Sequence, residues 1–190
     1  VPLGTHVPKQ TREEKEHAHR QMLLFVGRIY PVKNLDTLIR AFAKMHRGPR
    51  GSVSSATQRW QLVLVGPDQA GHQAELIRLA HALELRVFVS DAKSQQQAPC
   101  DWRQQEDDFD IFFLGARFGA EKAEIYACAD LFVLPSHTEN FGGVVIDALA
   151  AGVPVIASNK TPFDWVEEKK CGVWCSNDET GLYNALQTLT

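Results

Sequence analysis

Pro135-Ser-His-Thr-Glu139-Asn-Phe-Gly142-Gly-Val-Val-Ile-Asp147-Ala-Leu-Ala-Ala-Gly152-Val-Pro-Val-Ile-Ala-Ser158 is the stretch that decides the fold of this 190-residue chain. The apolar run Leu131 to Leu134 precedes it, and a second apolar run, Val153 to Ala157, lies near its end. Short runs of this kind are typical of strands buried in a parallel sheet. Because Phe141 to Ala151 fits a helix, the stretch predicts a strand, a loop, a helix and a strand.

The loop and the start of this predicted helix carry the residues suited to bind a ligand. They lie at the carboxyl edge of the sheet, where open α/β folds bind their ligands. Gly142 and Gly143 leave the first N–H groups of the helix accessible, and these groups favour a phosphate. Glu139 and Asp147 can accept hydrogen bonds from sugar hydroxyls. The pattern indicates a sugar-nucleotide site, and an ordinary βαβ unit with two solvated acids is the alternative.

A second strand, loop and helix are predicted near the start of the chain. Met22 to Val26 is apolar, and a helical pattern follows Asn34, which we predict to be the helix N-cap. Arg28 and Lys33 lie in the loop between them. An Arg fork and a mobile Lys charge are together suited to a diphosphate. Two solvated loop cations are the alternative.

Both regions resemble one enzyme family, the retaining glycosyltransferases of the GT-B fold known as group 1 or family 4. The resemblance around the first stretch runs from Tyr126 to Ser158, with two acids eight positions apart followed by Gly-x-Pro-Val-Ile. The matching residues there are Glu139, Asn140, Phe141, Gly142, Asp147, Gly152, Pro154, Val155 and Ile156. Near the start, Gly-Arg-x-x-x-x-Lys-Asn followed by Leu-Ile-x-Ala-Phe also resembles the family.

The resemblance implies a role for each matching residue. Glu139 is expected at the hydroxyls of the transferred sugar, and Arg28 and Lys33 at the donor diphosphate; we predict these three as the catalytic residues. Asp147 is expected at the ribose hydroxyls, where the family usually has the longer Glu, so that contact would need a water or a shifted backbone. The amides of the loop and helix start would bind sugar and diphosphate: Asn140, Phe141, Gly142 and Gly143.

Further donor contacts are expected at the ends of the neighbouring strands. Trp60 to Val65 and Ile111 to Leu114 are predicted strands, and in the family the end of the latter lies beside the nucleobase. Backbone groups of Phe113 to Ala116 would then contact the base, so the sequence does not encode which base is bound. The donor-binding residues predicted here are Gly27, Gly66, Phe113, Leu114 and Gly115.

Length and pattern predict one α/β domain, a Rossmann-like doubly wound parallel sheet forming one GT-B half. The domain is expected over residues 22–190, with an arm or linker over 1–21 and an exposed insertion at about 90–110. A GT-B enzyme has two such halves, and the resemblance covers only the donor-binding, C-terminal one. We therefore expect a missing N-terminal acceptor-binding domain as partner, and an isolated chain that binds donor but transfers sugar poorly or not at all.

Composition excludes several function classes. The net charge of −3 gives no global basic field for nucleic acid or an anionic membrane. No apolar run approaches the ~20 residues of a membrane span, and no signal peptide is visible. We expect a cytoplasmic domain without a transmembrane segment, whose full-length parent could associate peripherally with a membrane.

Metal and thiol chemistry are not expected. Asp108-Phe109-Asp110 resembles the Asp-x-Asp metal motif of the other large glycosyltransferase fold, GT-A, but it ends an acidic loop, and group 1 members use Arg and Lys instead. We predict no metal and no cofactor beyond the donor. Four cysteines lack a zinc spacing and are predicted to be reduced: Cys100, Cys128, Cys171 and Cys175.

Two functional alternatives stay open beside a retaining glycosyltransferase. One is another GT-B enzyme, such as a sugar-nucleotide epimerase or a glycan phosphorylase, although the catalytic acids and His of the first and the pyridoxal-binding Lys of the second find no match. The other is a non-catalytic module that binds nucleotide sugars.

Overall fold

Seven parallel strands form one sheet in the computed structural model, which describes residues 20–47, 59–90, 109–139 and 142–190. The strands are β1 (Arg20–Val26), β2 (Arg59–Val65), β3 (Val87–Val89), β4 (Ile111–Gly115), β5 (Leu131–Leu134), β6 (Val155–Ser158) and β7 (Gly172–Cys175). The helices are α1 (Leu35–Arg47), α2 (His72–Ala82), α3 (Gly119–Cys128), α4 (Gly143–Ala150), α5 (Trp165–Glu168) and α6 (Glu179–Leu189), with a 3₁₀ turn at Pro31–Lys33. The predicted doubly wound α/β fold is confirmed.

The strand order β3-β4-β2-β1-β5-β6-β7 places a topological switch point at the centre of the sheet. From β1 the chain turns towards β2, whereas from β5 it turns towards β6. The loops that leave these two neighbouring strands therefore diverge and open a crevice at the carboxyl edge. Helix α1 packs against α2 and α6, and α3 packs against α4.

Continuous apolar runs explain why the central strands are buried on both faces. Met22, Leu23, Leu24 and Phe25 of β1 are completely buried, and β5 is buried along its whole length. Burial of a Leu or Phe side chain contributes about 1.5–3 kcal/mol. This core fixes the positions at which the loops of the carboxyl edge begin.

Element boundaries differ from the predicted ones by a few residues. Arg20 and Gln21, predicted as part of the arm, already belong to β1. The predicted helix Phe141 to Ala151 is shorter, because α4 begins after Gly142 in a left-handed conformation and ends at Ala150. The rest of the arm, 1–19, and the insertion at 91–108 lie outside the described residues.

The predicted state of the cysteines is correct in part. Cys171 and Cys175 are free thiols, as expected. Burial, reinforced by the charges of Asp178 and Glu167, raises the pKa of Cys175 to about 11, so this thiol stays protonated and unreactive. Cys128 is disulfide-bonded, so the prediction of a reduced thiol is wrong there.

Asp110 corrects the expectation of a solvated acidic loop end. It is 2% exposed at the start of β4, and its carboxylate accepts hydrogen bonds from Arg86 N (2.8 Å) and pairs with His46 Nε2 (3.2 Å) and Arg86 Nη2 (3.4 Å). Burial alone would raise the pKa of Asp110, but the bonds from His46 and Arg86 outweigh it and hold that pKa well below its ordinary value. We call these three residues the amino-edge cluster.

Candidate functional site

A cavity of about 410 Å³ lies where β1 and β5 end, at the topological switch point. It brings together the three residues predicted as catalytic and the glycines at the start of α4. Its lining consists of Val26, Gly27, Arg28, Lys33, Glu139, Gly142, Gly143 and Val144. We call it the donor cavity, after the ligand that the sequence predicts for these residues. Residues separated by more than 100 positions in the chain meet here because parallel strands place their carboxyl ends on one edge.

Lys33 and Glu139 form an ion pair across the donor cavity. Lys33 Nζ donates to Glu139 Oε2 at 2.6 Å, and the side chains are 12% and 20% exposed. Lys33 ends the 3₁₀ turn at Pro31–Lys33, and its side chain reaches Glu139 in the loop that follows β5. The pair holds a cation and an acceptor at one position, where both can turn to a ligand that carries phosphate and hydroxyl groups.

Arg28 enters the same cavity from the loop after β1. Its Nη1 donates to Gln69 Oε1 at 3.0 Å in an exposed hydrogen bond. A guanidinium has five N–H donors, so this bond leaves most of them available. Gln69 also donates its backbone N–H to the carbonyl of Ile29 at 3.0 Å, which joins the loops after β1 and β2. Within the described residues, Arg28 is therefore positioned by one bond while most of its N–H donors stay unused.

Helix α4 begins at the cavity without a side-chain cap. Gly142 has φ 47° and ψ 35°, makes no side-chain capping bond, and is followed by a first turn without acidic residues. A Cβ at Gly142 would collide with the ring of Phe163, so only glycine fits. The first N–H groups of a helix have no partner within it. Uncapped and free of negative charge, this terminus favours an anion.

Asn34 occupies the predicted N-cap position of α1, but its side chain acts elsewhere. Its carbonyl accepts from Leu38 N at 3.3 Å, as the residue before a helix should. The amide Nδ2 instead donates to the carbonyls of Pro135 (3.2 Å) and Asn177 (2.7 Å). Asn34 is therefore the N-cap by position, as predicted, while its side-chain amide bonds the loops instead of capping the helix. One buried amide joins the loops that follow β1, β5 and β7.

Over residues 20–190 the chain matches the family model described as "Glycosyl transferases group 1". The chain belongs to the group 1 glycosyltransferases. It is 32% identical over 168 residues to the D-inositol 3-phosphate glycosyltransferase of Actinosynnema mirum. The matched region covers 83% of this chain and 34% of that protein. The chain thus spans about a third of the length of the curated relatives it matches.

Solved structures show the same fold at lower identity. The C-terminal domain of the group 1 glycosyl transferase LpcC from Francisella tularensis has a TM-score of 0.65 at 18% identity, covering 90% of this chain and 74% of that one. HepE from Anabaena, solved in complex with UDP, has a TM-score of 0.62 at 22% identity, covering 93% and 41%. This group 1 chain has the fold of one GT-B half.

The other residues predicted at the donor are placed less directly. Gly66 has φ 151°, and a Cβ there would collide with the carbonyl of Gly27, so glycine lets the ends of β1 and β2 close together. The side chains of Phe113 and Leu114 are buried in the core, which leaves only their backbone for a ligand. The Gly115 carbonyl accepts from Gly66 N at 2.9 Å. Contacts from Asn140 and Phe141 stay a prediction, since both lie outside the described residues.

Asp147 does not line the donor cavity. It lies one turn further along α4, where its Oδ2 accepts from Lys122 Nζ on α3 at 2.8 Å. Both residues line a separate cavity between the two helices. Lys122 was not among the predicted site residues, because a contact between residues 25 positions apart leaves no local signal in the sequence.

The composition of the described residues bears on metals and membranes. They contain no cluster of three or more His, Cys, Asp or Glu side chains placed to bind a metal. Asp110 of the Asp-x-Asp triplet belongs to the amino-edge cluster, and Asp108 lies outside the described ranges. The helices found there are too short or too polar to traverse a bilayer.

Proposed function

We propose that this group 1 domain binds the nucleoside diphosphate sugar donor of a retaining glycosyltransferase. One observation carries the proposal: the donor cavity combines two cations, an acidic acceptor and an uncapped helix N-terminus at the switch point of the sheet. The two cations and the helix N-terminus suit the diphosphate of such a donor, and the acidic acceptor suits the hydroxyls of its sugar.

The charge of the cavity matches a diphosphate. Arg28 and Lys33 contribute two positive charges and Glu139 one negative charge, and the start of α4 adds about half a positive charge. The sum is positive although the chain as a whole is negative. Hydrogen bonds to charged groups contribute about 1.5–3 kcal/mol each. A diphosphate would therefore bind through local charge.

The same groups can act on the reaction. When the bond between sugar and diphosphate breaks, negative charge grows on the leaving diphosphate. This charge would be stabilised by Arg28, Lys33 and the α4 amides. Glu139 accepts hydrogen bonds from hydroxyls of the transferred sugar as it passes through an oxocarbenium-like state. Lys33 Nζ, now bonded to Glu139, would be shared with the diphosphate. No metal is needed for this division of labour.

The whole activity requires more than this chain. Because the chain spans about a third of its curated relatives, an acceptor-binding domain outside it would supply the second substrate and close over the donor. We infer that the isolated chain binds donor without efficient transfer. The cytoplasmic location and the absence of a metal requirement stay predictions.

A thermal-shift panel tests the proposal. The chain is heated with UDP, GDP, ADP and their sugar conjugates in the presence of EDTA, and UDP comes first because HepE was solved with it. A ligand at a hundred times its Kd adds about 2.7 kcal/mol to the free energy of unfolding. We expect stabilisation by one nucleotide series, lost in Arg28→Ala. Lys169→Ala is the matched control, because it removes an exposed cation that pairs with Glu168 and does not line the donor cavity. No stabilisation by any nucleoside diphosphate would contradict the proposal.

A further inference from the structure

The ring of Phe163 fills the space beside Gly142, at the start of α4. A Cβ built on Gly142 would collide with three ring atoms, Cζ, Cε1 and Cε2, which form the outer end of the ring. That end therefore faces the backbone of Gly142. Phe163 is 5% exposed and does not line the donor cavity, whereas Gly142 does. The ring thus supports the start of α4 without being part of the cavity wall.

The loop after β6 holds this ring in place. Ser158, the last residue of β6, is completely buried, and its carbonyl accepts from the N–H (3.0 Å) and the hydroxyl (2.6 Å) of Thr161. The Phe163 ring meets the Trp165 ring edge to face, with centroids 6.2 Å apart and planes at 78°. The Phe163 carbonyl accepts from Val166 N at 3.1 Å, in α5. Both the backbone and the ring of Phe163 are therefore held.

Strand β7 anchors the same loop from the edge of the sheet. Trp174 Nε1 donates to the carbonyl of Thr161 at 3.2 Å. Asn159 N donates to the carbonyl of Cys175 at 2.7 Å. A continuous series of contacts thus leads from the edge strand, through the loop after β6 and the ring of Phe163, to the wall of the donor cavity.

The start of α4 depends on such a support because its own residues restrict it little. Gly142 adopts the left-handed conformation, and no side-chain hydrogen bond caps the helix there. Gly143 and Val144, whose N–H groups come first in α4, line the donor cavity. Hydrogen bonds weaken steeply when their distance and angle depart from the preferred values. A phosphate therefore binds well only if these N–H groups are kept in one position.

We propose that Phe163 is a positioning residue of the donor cavity, whose ring fixes the turn at Gly142 and with it the first N–H groups of α4. This inference rests on the proposed function and adds a residue that does not touch the ligand. Removal of the outer end of the ring would leave a gap beside Gly142, and the helix start would relax into it. Phosphate groups would then meet displaced N–H donors, so binding would weaken although every group in the cavity is retained.

Calorimetric titration with inorganic pyrophosphate and UDP tests this inference; the diphosphate of another base replaces UDP if the panel selects it. Phe163→Leu removes the outer end of the ring and should weaken binding of both ligands about tenfold, the factor that corresponds to one hydrogen bond to a charged group. Phe163→Met has nearly the volume of the leucine variant, but its unbranched chain reaches the space beside Gly142. It should bind both ligands within about threefold of the unmodified chain.

Phe112→Leu is the control for stability, because Phe112 is completely buried in β4 and does not line the donor cavity. It should lower the free energy of unfolding, as Phe163→Leu does, and leave both affinities unchanged. A residue that served the fold alone would show no difference between these two variants.

A double-mutant cycle tests the same contact from the side of the helix. Gly142→Ala places a methyl group against the ring and should weaken pyrophosphate binding in the unmodified chain. In Phe163→Leu, where the outer end of the ring is gone, the same substitution should weaken binding by a factor at least about threefold smaller, since changes at residues in contact are not additive.

Pyrophosphate affinity that is unchanged in Phe163→Leu would overturn the inference and leave the proposed function standing. So would equal losses in Phe163→Leu and in either Phe163→Met or Phe112→Leu, or factors that simply multiply in the cycle. If Phe163→Leu does not fold, an unchanged affinity in Gly142→Ala or a loss of about tenfold in Phe163→Met would overturn the inference. An unmodified chain that binds neither pyrophosphate nor any nucleoside diphosphate would overturn both proposals.

Discussion

The amino-edge cluster and the donor cavity both hold charged side chains against the sheet, but they use their hydrogen-bonding capacity differently. Asp110 is buried and receives bonds from His46 and from both the backbone and the guanidinium of Arg86. In the part of the donor cavity that the structure describes, Arg28 makes one exposed bond, to Gln69, and Lys33 and Glu139 bond to each other beside open space.

The unused hydrogen-bonding capacity of the charged side chains distinguishes a binding site from a structural site more clearly than their charge does. A carboxylate whose acceptors are filled by its own chain has nothing left for a ligand and contributes to folding. Cations with spare donors at an open cavity contribute little to folding and keep that capacity for binding. Changes at the amino-edge cluster should therefore affect stability, and changes at the donor cavity should affect binding.

The largest expected effect is on stability, from Asp110→Ala. It leaves the Arg86 amide and the groups around it without their acceptor, and breaking a buried ion pair by removing one partner costs about 3–5 kcal/mol. Urea unfolding measures this loss. Glu168→Ala, at an exposed acid, should change the free energy of unfolding by less than about 0.5 kcal/mol. A decrease in the free energy of unfolding of less than about 1 kcal/mol for Asp110→Ala would mean that the amino-edge cluster does not stabilise the fold.

The second effect is on binding, from Arg28→Ala. Loss of a charge-assisted contact should weaken nucleoside diphosphate binding by about 1.5–3 kcal/mol, measured by calorimetry. The free energy of unfolding without ligand should change by less than about 0.5 kcal/mol, since the side-chain bond that Arg28 makes to another described residue is the exposed one to Gln69. A stability loss as large as that of Asp110→Ala, with donor affinity unchanged, would reverse the assignment of the two sites.

The smallest effect is the contribution of Asp110 to acid sensitivity. Because its folded pKa is depressed, its stabilisation is complete well above the unfolded pKa, near 3.9, and is lost as the pH falls through and below that value. Linkage gives a loss of about 1.3 kcal/mol between pH 7 and pH 3. Urea unfolding at both pH values should show that the free energy of unfolding falls by about this much more in the unmodified chain than in Asp110→Asn. An equal fall in both proteins would contradict the depressed pKa.

The sequence predicted most of the fold because its strands are local features. Leu131–Leu134 was predicted residue for residue, since a continuous apolar run ends there at Pro135. The meeting of Arg28, Lys33 and Glu139 could be predicted as well, because carboxyl ends of parallel strands share one edge. The precise start of α4 was less accessible: it depends on the ring of Phe163, about twenty positions away, which admits only glycine at 142.

What could not be predicted depends on distant partners. Asp110 ends an acid-rich run that suggests a solvated loop, yet His46 and Arg86, from two other segments, make its burial tolerable. The Asn34 amide looked like a helix cap until the carbonyls of other loops were in place. The sequence carried no signal for the ion pair of Lys122 with Asp147, because it forms only when α3 and α4 lie side by side.

The position of three separate stretches of chain depends on one chemical group, the side-chain amide of Asn34. Its two N–H bonds run to carbonyls that follow β5 and β7, and its φ of 57° suits asparagine or glycine better than other residues. Glycine would keep the backbone but abandon both carbonyls, and aspartate would turn two attractions into two repulsions. A substitution at Asn34 would therefore disturb the loops after β1, β5 and β7 at once, whereas a substitution at an exposed position of one loop would disturb that loop alone.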